Sequence, residues 1–328
     1  MSKQSFKSWY KSGEPGIWMS GGAVAIAVIM TIGLMAVIAY RGLGHFWPAD
    51  VIEARYSVPG QPVQMLLGEL VQEEDVTRER LAGAGLPIPA DAPEFMRRDL
   101  FKVGNRDLTG ADFTWLVGDW LSEHKTPEDI VVLERREWGN FYGRLLNVQE
   151  AGKVVAEGDA AWAELQKRIE RVDGLQGKLY KLHKGEIGAI NHGLERLRLQ
   201  ERKLELNGQL NDQAKADLAA ERAELNARYQ SLEAELMALN AEFDRDSATF
   251  KAIDGREVNL TLGKLVHAYK PNAMGPLDKT VFYFGKLWEF LSDEPREANT
   301  EGGIFPAIFG TVMMTLIMAI LVTPFGVL

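Results

Sequence analysis

The 328-residue chain contains no cysteine, which removes thiolate nucleophiles, disulfides, iron–sulfur clusters and cysteine zinc sites together. Its five histidines, His45, His124, His183, His192 and His267, form no H-x-x-x-H pair and recur with no carboxylate at a fixed spacing. They outline no metal centre. His183 and His192 fall in a stretch of helical pattern, where a solvated face accounts for them. Carboxylates crowd Glu195–Glu205, but an acid–base pair needs two of them at a defined separation, and solvation explains the run. No G-x-x-x-x-G-K-[ST] loop occurs, so the chain does not hydrolyse ATP by that route and energy coupling would fall to a partner. Gly42-Leu43-Gly44 and Gly83-Ala84-Gly85 are too short for a dinucleotide fingerprint. Asn259-Leu260-Thr261 matches a glycosylation acceptor, a pattern with meaning only in a secretory pathway. Trp115, Trp120 and Trp138 either line a ligand groove or fill a core, and in a small domain the core is the commoner use. The expectation is a non-enzyme with no catalytic residue, no cofactor and no metal.

Such residues matter only through the elements that hold them. The composition, 46% hydrophobic and 25% charged with a net charge of −9, is ordinary for globular material and argues against a nucleic-acid partner, which needs a basic face. The average conceals a mosaic. Ile17–Tyr40 carries no charge, and ~24 helical residues reach roughly 36 Å, enough to cross a hydrocarbon core of about 30 Å. Trp18 opens this run and Tyr40, Phe46 and Trp47 close it, as aromatic anchors at two headgroup levels would. A cleaved signal peptide is the competing reading, but its apolar core is usually about 7–15 residues and ends at an A-x-A site. The last 27 residues, from Gly302 to Leu328, are also uncharged. Each charge there would cost about 2.5–3.5 kcal/mol on insertion, whereas a soluble core helix of this length would keep a polar face. No basic anchor follows Leu328, so the chain reads as stopping inside or just after a membrane span.

Lys3, Lys7 and Lys11 precede the first span against Glu14 alone, which places the N-terminus, residues 1–16, in the cytoplasm. Residues 41–301 then lie outside. Three of the 37 basic and one of the 46 acidic residues fall before them, leaving 34 and 45, a net charge of −11.

The predicted fold class is a membrane protein in which two transmembrane helices, 17–40 and 302–328, flank a periplasmic α+β domain. Residues 41–150, with β-like Val51–Val58 and Asp129–Glu134, and 251–279, with alternation at Val258, Leu260 and Leu262, make up that α+β unit. Between them 151–250 changes character. Leu218, Leu225, Tyr229, Leu232, Leu236, Leu239, Phe243 and Phe250 follow an a/d seam, and Trp162, Leu165, Ile169 and Val172 share the rhythm. Asn207-Gly208 and Asn211-Asp212 mark the turn of an antiparallel coiled-coil hairpin. Gly174, Gly177, Gly185, Gly188 and Gly193 each cost about 1 kcal/mol relative to alanine in a helix and predict a break or hinge in the first arm. Within 280–301, Val281–Leu291 is rich in aromatic residues and suits an amphipathic interfacial helix.

The start of the second span is the most specific segment. Gly302, Gly303 and Pro306 stand at a helix start, where proline is tolerated. Gly310 allows close helix approach, Thr311, Thr315 and Thr323 can bond across a bundle, and Pro324 would kink or end the span. At these residues the chain resembles the A-type permease subunit of the bacterial phosphate ABC importer, the PstA family. The resemblance rests on Phe290-Leu291-Ser292-Asp293-Glu294-Pro295, on EGGIFPAIFGT from Glu301, on Thr323-Pro324-Phe325-Gly326, and on Arg41-Gly42-Leu43-Gly44-His45-Phe46-Trp47-Pro48 after the first span. It covers about residues 1–50 and 280–328, and the region between looks like the periplasmic insertion of long forms. The resemblance implies a phosphate importer of the inner membrane, of which this chain is the N-terminal portion. Its partners would be a second permease subunit, an ATPase dimer, a periplasmic phosphate-binding protein and the lipid bilayer. A domain of net −11 repels a free anion, so docking or regulation suits it better than phosphate binding. A periplasmic adaptor of an efflux or secretion system, or a two-span envelope sensor, would share the two-ended architecture.

Overall fold

The computed structural model describes residues 14–89, 91–296 and 301–327; Lys3, Lys7 and Lys11, on which the orientation rests, lie outside them. The chain divides into a unit from its terminal regions (described residues 14–48, 275–295 and 301–327) and a unit made of the described residues of 49–274 with Arg296. Two apolar helices, one near each end, flank an α+β domain with antiparallel sheets.

Helix α1 (Glu14–Gly44) precedes the domain. There, β1 (Val51–Tyr56), β2 (Gln64–Thr77), β3 (Phe95–Lys102), β4 (Phe113–Val117) and β5 (Leu121–Lys125) form one antiparallel sheet in the order β4-β3-β2-β1-β5. Its edge strands β4 and β5 are joined by a single 3-10 turn, Gly118–Trp120. Four residue steps reach at most about 14 Å, whereas four strand spacings of a flat sheet would separate the edges by about 19 Å. The sheet must therefore roll, and the Val117 amide donates to the Tyr56 hydroxyl across it at 3.4 Å.

The second sheet repeats this plan. β6 (Ile130–Arg135), β7 (Asn140–Glu150), β8 (Lys153–Glu157), β9 (Asp246–Lys251), β10 (Glu257–Thr261) and β11 (Leu265–Tyr269) pair in the order β10-β9-β7-β6-β11, with β8 against β7. A 3-10 turn, Leu262–Lys264, again joins the edges. The correspondence reaches single residues. Gly68 on β2 and Gly143 on β7 each lie under the carbonyl of the next strand's last residue. A Cβ would stand 2.5 Å from Lys102 O in the first case and 2.8 Å from Lys251 O in the second. Register slips once after Leu70 and once after Leu145. The Ser57 amide donates to Trp120 O at 3.0 Å, and the Arg136 amide to Lys264 O at 2.8 Å. The single α+β unit expected over 41–150 and 251–279 is thus two rolled sheets of the same design.

The two copies pack through equivalent faces. Val51 and Leu67 of the first sheet meet Ile130, Val132 and Tyr142 of the second; by pairing pattern Val51 corresponds to Ile130 and Leu67 to Tyr142. Self-complementary contact of this kind is what a two-fold dimer makes. It also explains β6: Val131 and Leu133 face the second core while Ile130 and Val132 face the first sheet, so the strand is apolar on both sides rather than alternating.

Between β8 and β9 the chain leaves the sheet as α2 (Asp159–Tyr180), a π-helical stretch (Lys181–Ile187) and α3 (Gly188–Leu206), and returns as α4 (Asp212–Phe243). Ala161, Leu165, Ile169 and Val172 of α2 complete the second sheet's core. The arms run antiparallel: Glu201 pairs with Arg222 at 2.8 Å and Glu186 with Arg228 at 3.5 Å, and Leu182 and Ile190 pack on Leu232. Asn211 caps α4, its Oδ1 accepting from the Ala214 amide at 2.8 Å.

Two expectations change. The glycines of the first arm do not break it. The helix absorbs the irregularity as the π-helical stretch around Gly185, and a Cβ on Gly193 would lie only 3.0 Å from Leu225, so this glycine lets the arms approach. Phe250 belongs to β9, not to the helical seam; its seven-residue step from Phe243 matched the a/d spacing by chance. Within the seam, Leu218 and Leu232 are buried while Tyr229 is exposed.

The terminal unit holds α1, α5 (Pro276–Ser292) and α6 (Phe305–Val327). Over Gly16–Gly44 and Phe305–Pro324 the helices are long and apolar enough to cross a bilayer, and no part of either window is buried within the chain.

Candidate functional site

The segment singled out at the second apolar run forms a tight junction between α5 and α6. Helix α5 starts with Pro276 in its first turn and the Gly275 amide donating to the Asp278 carboxylate at 3.2 Å. At its other end the last carbonyls lack intrahelical donors. The returning chain supplies them. The Ile304 amide donates to Phe290 O at 2.8 Å, the Phe305 amide to Asp293 O at 3.3 Å, and the Gly303 amide to Glu294 O at 3.2 Å. Gly302 takes a φ of +90°, a region that favours glycine. A Cβ on Gly303 would fall inside the Asp293 carbonyl. Both glycines are therefore required by the turn itself.

Pro306 sits in the first turn of α6, as its missing N–H allows. Gly310 has open space where a Cβ would be. Thr311 and Thr315 each donate to a carbonyl four residues back in α6, Ala307 O and Thr311 O, at 2.8 Å, and Thr323 does the same to Ala319 O. Their hydroxyls are satisfied within α6. Pro324 lies inside the helix, about 27 Å beyond Pro306. The junction thus brings together Gly302, Gly303 and Pro306 and leaves Gly310, Thr311 and Pro324 along the helix.

One contact set was not visible in the sequence. Phe46, just beyond α1, packs on Phe290 with ring centroids 5.0 Å apart and on Tyr283 at 6.4 Å; Trp47 reaches Tyr283 at 6.2 Å. The end of α1 and the start of α6 are both fastened to α5. The seven-residue step from Tyr283 to Phe290, two turns on one helix face, was the only signal.

The other candidate residues do not converge. Trp120 is half-buried beside Tyr56, with centroids 6.1 Å apart. Trp115 lies under the Arg98 guanidinium at 4.2 Å, and Arg98 is paired with Glu74. Trp138 is half-exposed at a φ of +74°, a costly conformation for a bulky residue; the Arg135 side chain holds it by donating to Trp138 O at 2.7 Å and Gly139 O at 2.9 Å. No common groove joins these tryptophans. His183 and His192 are exposed on the first arm.

Two buried polar clusters organise the domain. At the foot of the helical arms the fully buried Asp246 accepts from Arg168 at 2.8 Å, Arg171 at 2.7 Å and Arg245 at 3.0 Å, while Arg168 also binds Glu164 and Glu150. Burial alone would raise the Asp246 pKa; the Arg245 hydrogen bond and the Arg168 and Arg171 charges outweigh it and hold it below the usual carboxylate range. Between the two sheets, Tyr142 donates to Glu69 at 2.8 Å, and burial pushes the Glu69 pKa up and that of Tyr142 well up. Both clusters fix geometry, one at the root of the arms and one at the contact of the sheets.

The fold and this junction define a class: a chain whose two solvent-exposed apolar helices bracket a duplicated antiparallel-β domain with a helical insertion. Scans against protein-family models, curated proteins and solved structures find no match to it.

Proposed function

We propose that the chain is a membrane-spanning permease subunit of an ATP-driven phosphate importer, and that its 41–301 region is a periplasmic docking or regulatory domain. The observation that carries the membrane part is the complete exposure of both apolar helices. Among the described residues nothing buries them, and lipid is the solvent that would cover them. The resemblance of the α5–α6 segment and of the stretch after α1 supplies the transporter part. The paired helical arms, read as a coiled coil, present a long polar surface to a partner, and the net charge of −11 over 41–301 suits docking rather than capture of an anion.

Topology is read first. The cysteine-free background permits a single Ser231→Cys variant on the exposed face of α4. A thiol reagent that cannot the inner membrane pass labels it in intact spheroplasts; labelling only after lysis would reverse the orientation. Function is read by phosphate uptake. Loss of this chain abolishes ATP-driven uptake in the cell that carries it, and undiminished uptake would refute the importer reading.

A further inference from the structure

Helix α5 carries a surface that none of the described residues covers. Leu277, Val281, Phe284, Trp288 and Leu291 step by four, three, four and three residues, so they form one stripe, and all five are exposed, from 42% at Leu291 to 76% at Leu277. The far side of the same helix is spoken for. Tyr283 and Phe290 hold Phe46 and Trp47, and Lys286 pairs with Glu289 at 2.8 Å with both side chains largely buried. The helix is therefore apolar on two sides, and among the described residues one side is packed and the other is open.

We infer that α5 lies in the headgroup–acyl boundary of the bilayer with this stripe embedded in lipid, as a brace that fixes the outer ends of both spans to one level. The inference rests on the membrane reading above. Its own ground is the attachment at two points. The end of α1 is clamped to α5 by Phe46 and Trp47, and the start of α6 is hydrogen-bonded to its last turn by Ile304, to Phe290 O, and to the two residues that follow it by Phe305 and Gly303, to Asp293 O and Glu294 O. If both helices cross, the outer end of one and the outer start of the other meet the water interface at that depth, and α5 is tied there. An amphipathic helix of 17 residues, about 26 Å long, with Trp and Phe on its free face is suited to lie in that boundary. Its charges also identify the lipid chemistry. Asp278, Lys279, Lys286 and Glu289 sum to zero, so the attachment is hydrophobic and independent of anionic headgroups.

The test uses the full chain reconstituted in phosphatidylcholine vesicles, with one spin-labelled cysteine at a time at Val281, Phe284, Trp288, Ser231 or Met318. The expected result is that labels at 281, 284 and 288 collide more with oxygen than with a water-soluble nickel reagent, at shallow depth, while the label at 231, exposed on α4, shows the reverse and that at 318 lies deep. Adding phosphatidylglycerol leaves the three stripe values unchanged. Water-accessible labels at 281, 284 and 288 alongside a lipid-buried 318 would overturn the brace and leave the membrane reading standing. Stripe labels shielded from both reagents would mean protein covers them, and would overturn it too. A water-exposed label at 318 would remove the membrane reading itself.

Discussion

Two aspartates show how the same side chain can act in opposite directions. Asp246 is surrounded by Arg168, Arg171 and Arg245, and its pKa is lowered. Its contribution to stability is present above the unfolded carboxylate pKa of about 3.9 and is lost as pH falls through the folded value. Replacing it leaves three guanidinium groups facing a void, and Asp246→Ala is expected to cost about 3–5 kcal/mol. Hydrogen exchange in the 159–243 arms of the full chain should rise; unchanged protection would mean the cluster does not root them. Asp99 is also buried, on β3, with Arg97 at 3.1 Å and Glu73 directly opposite on β2. Burial, only partly offset by Arg97, raises its pKa. The folded chain then holds this proton to higher pH than the unfolded one, so stability falls as pH rises from the unfolded carboxylate range through the folded value. Asp99→Asn should flatten that fall, seen as a weaker pH dependence of the denaturation midpoint between acid and neutral pH. A slope equal to the parent's would exclude Asp99 as its source.

Among the elements, Val51–Val58 and Asp129–Glu134 read as strands, whereas the two long glycine-bearing strands, β2 and β7, did not stand out. β6 was legible as a strand because Ile130–Leu133 is continuous and β-branched, but its burial on both faces, hence the second sheet, was not. The duplication was illegible for a plain reason. It is carried by backbone contacts at Gly68 and Gly143 and by a register slip after each, not by shared side chains. Gly143→Ala places a methyl 2.8 Å from both the Lys251 carbonyl and the Phe141 ring, and a cost of about 1–3 kcal/mol is expected, with Gly68→Ala against Lys102 similar. A thermal shift for one and none for the other would break the equivalence. The helical arms were legible from their periodicity, although Phe250 entered the pattern by chance. The glycines misled because propensity counts a residue's intrinsic cost, while the close approach at Gly193 and the π-helical stretch are tertiary matters. At the junction the sequence singled out Gly302, Gly303 and Pro306 around a helix start; in the structure Pro306 lies in the first turn of α6 and the two glycines precede it, and their partner, the chain at and just after the end of α5, became visible only in three dimensions.

For the molecule as a whole, the arms can be shortened without touching their root. Glu186 lies opposite Arg228, so replacing 187–227 with the 207–211 turn keeps Leu182 against Leu232 and removes the outer half. If the chain is the importer subunit proposed above and its arms dock a partner, this variant inserts normally but transports phosphate more slowly, and uptake at the parental rate would dismiss the docking role. The reason such surgery is feasible lies where the chain departs from and rejoins the sheet. β8 and β9 flank β7 on opposite sides, with Glu157 and Thr249 both paired with Asn147, so the insertion leaves and re-enters the sheet from the two sides of one strand, about 10 Å apart. A mast stepped in so narrow a socket can gain or lose whole turns at its tip, in matched pairs, while the deck beneath it keeps every plank.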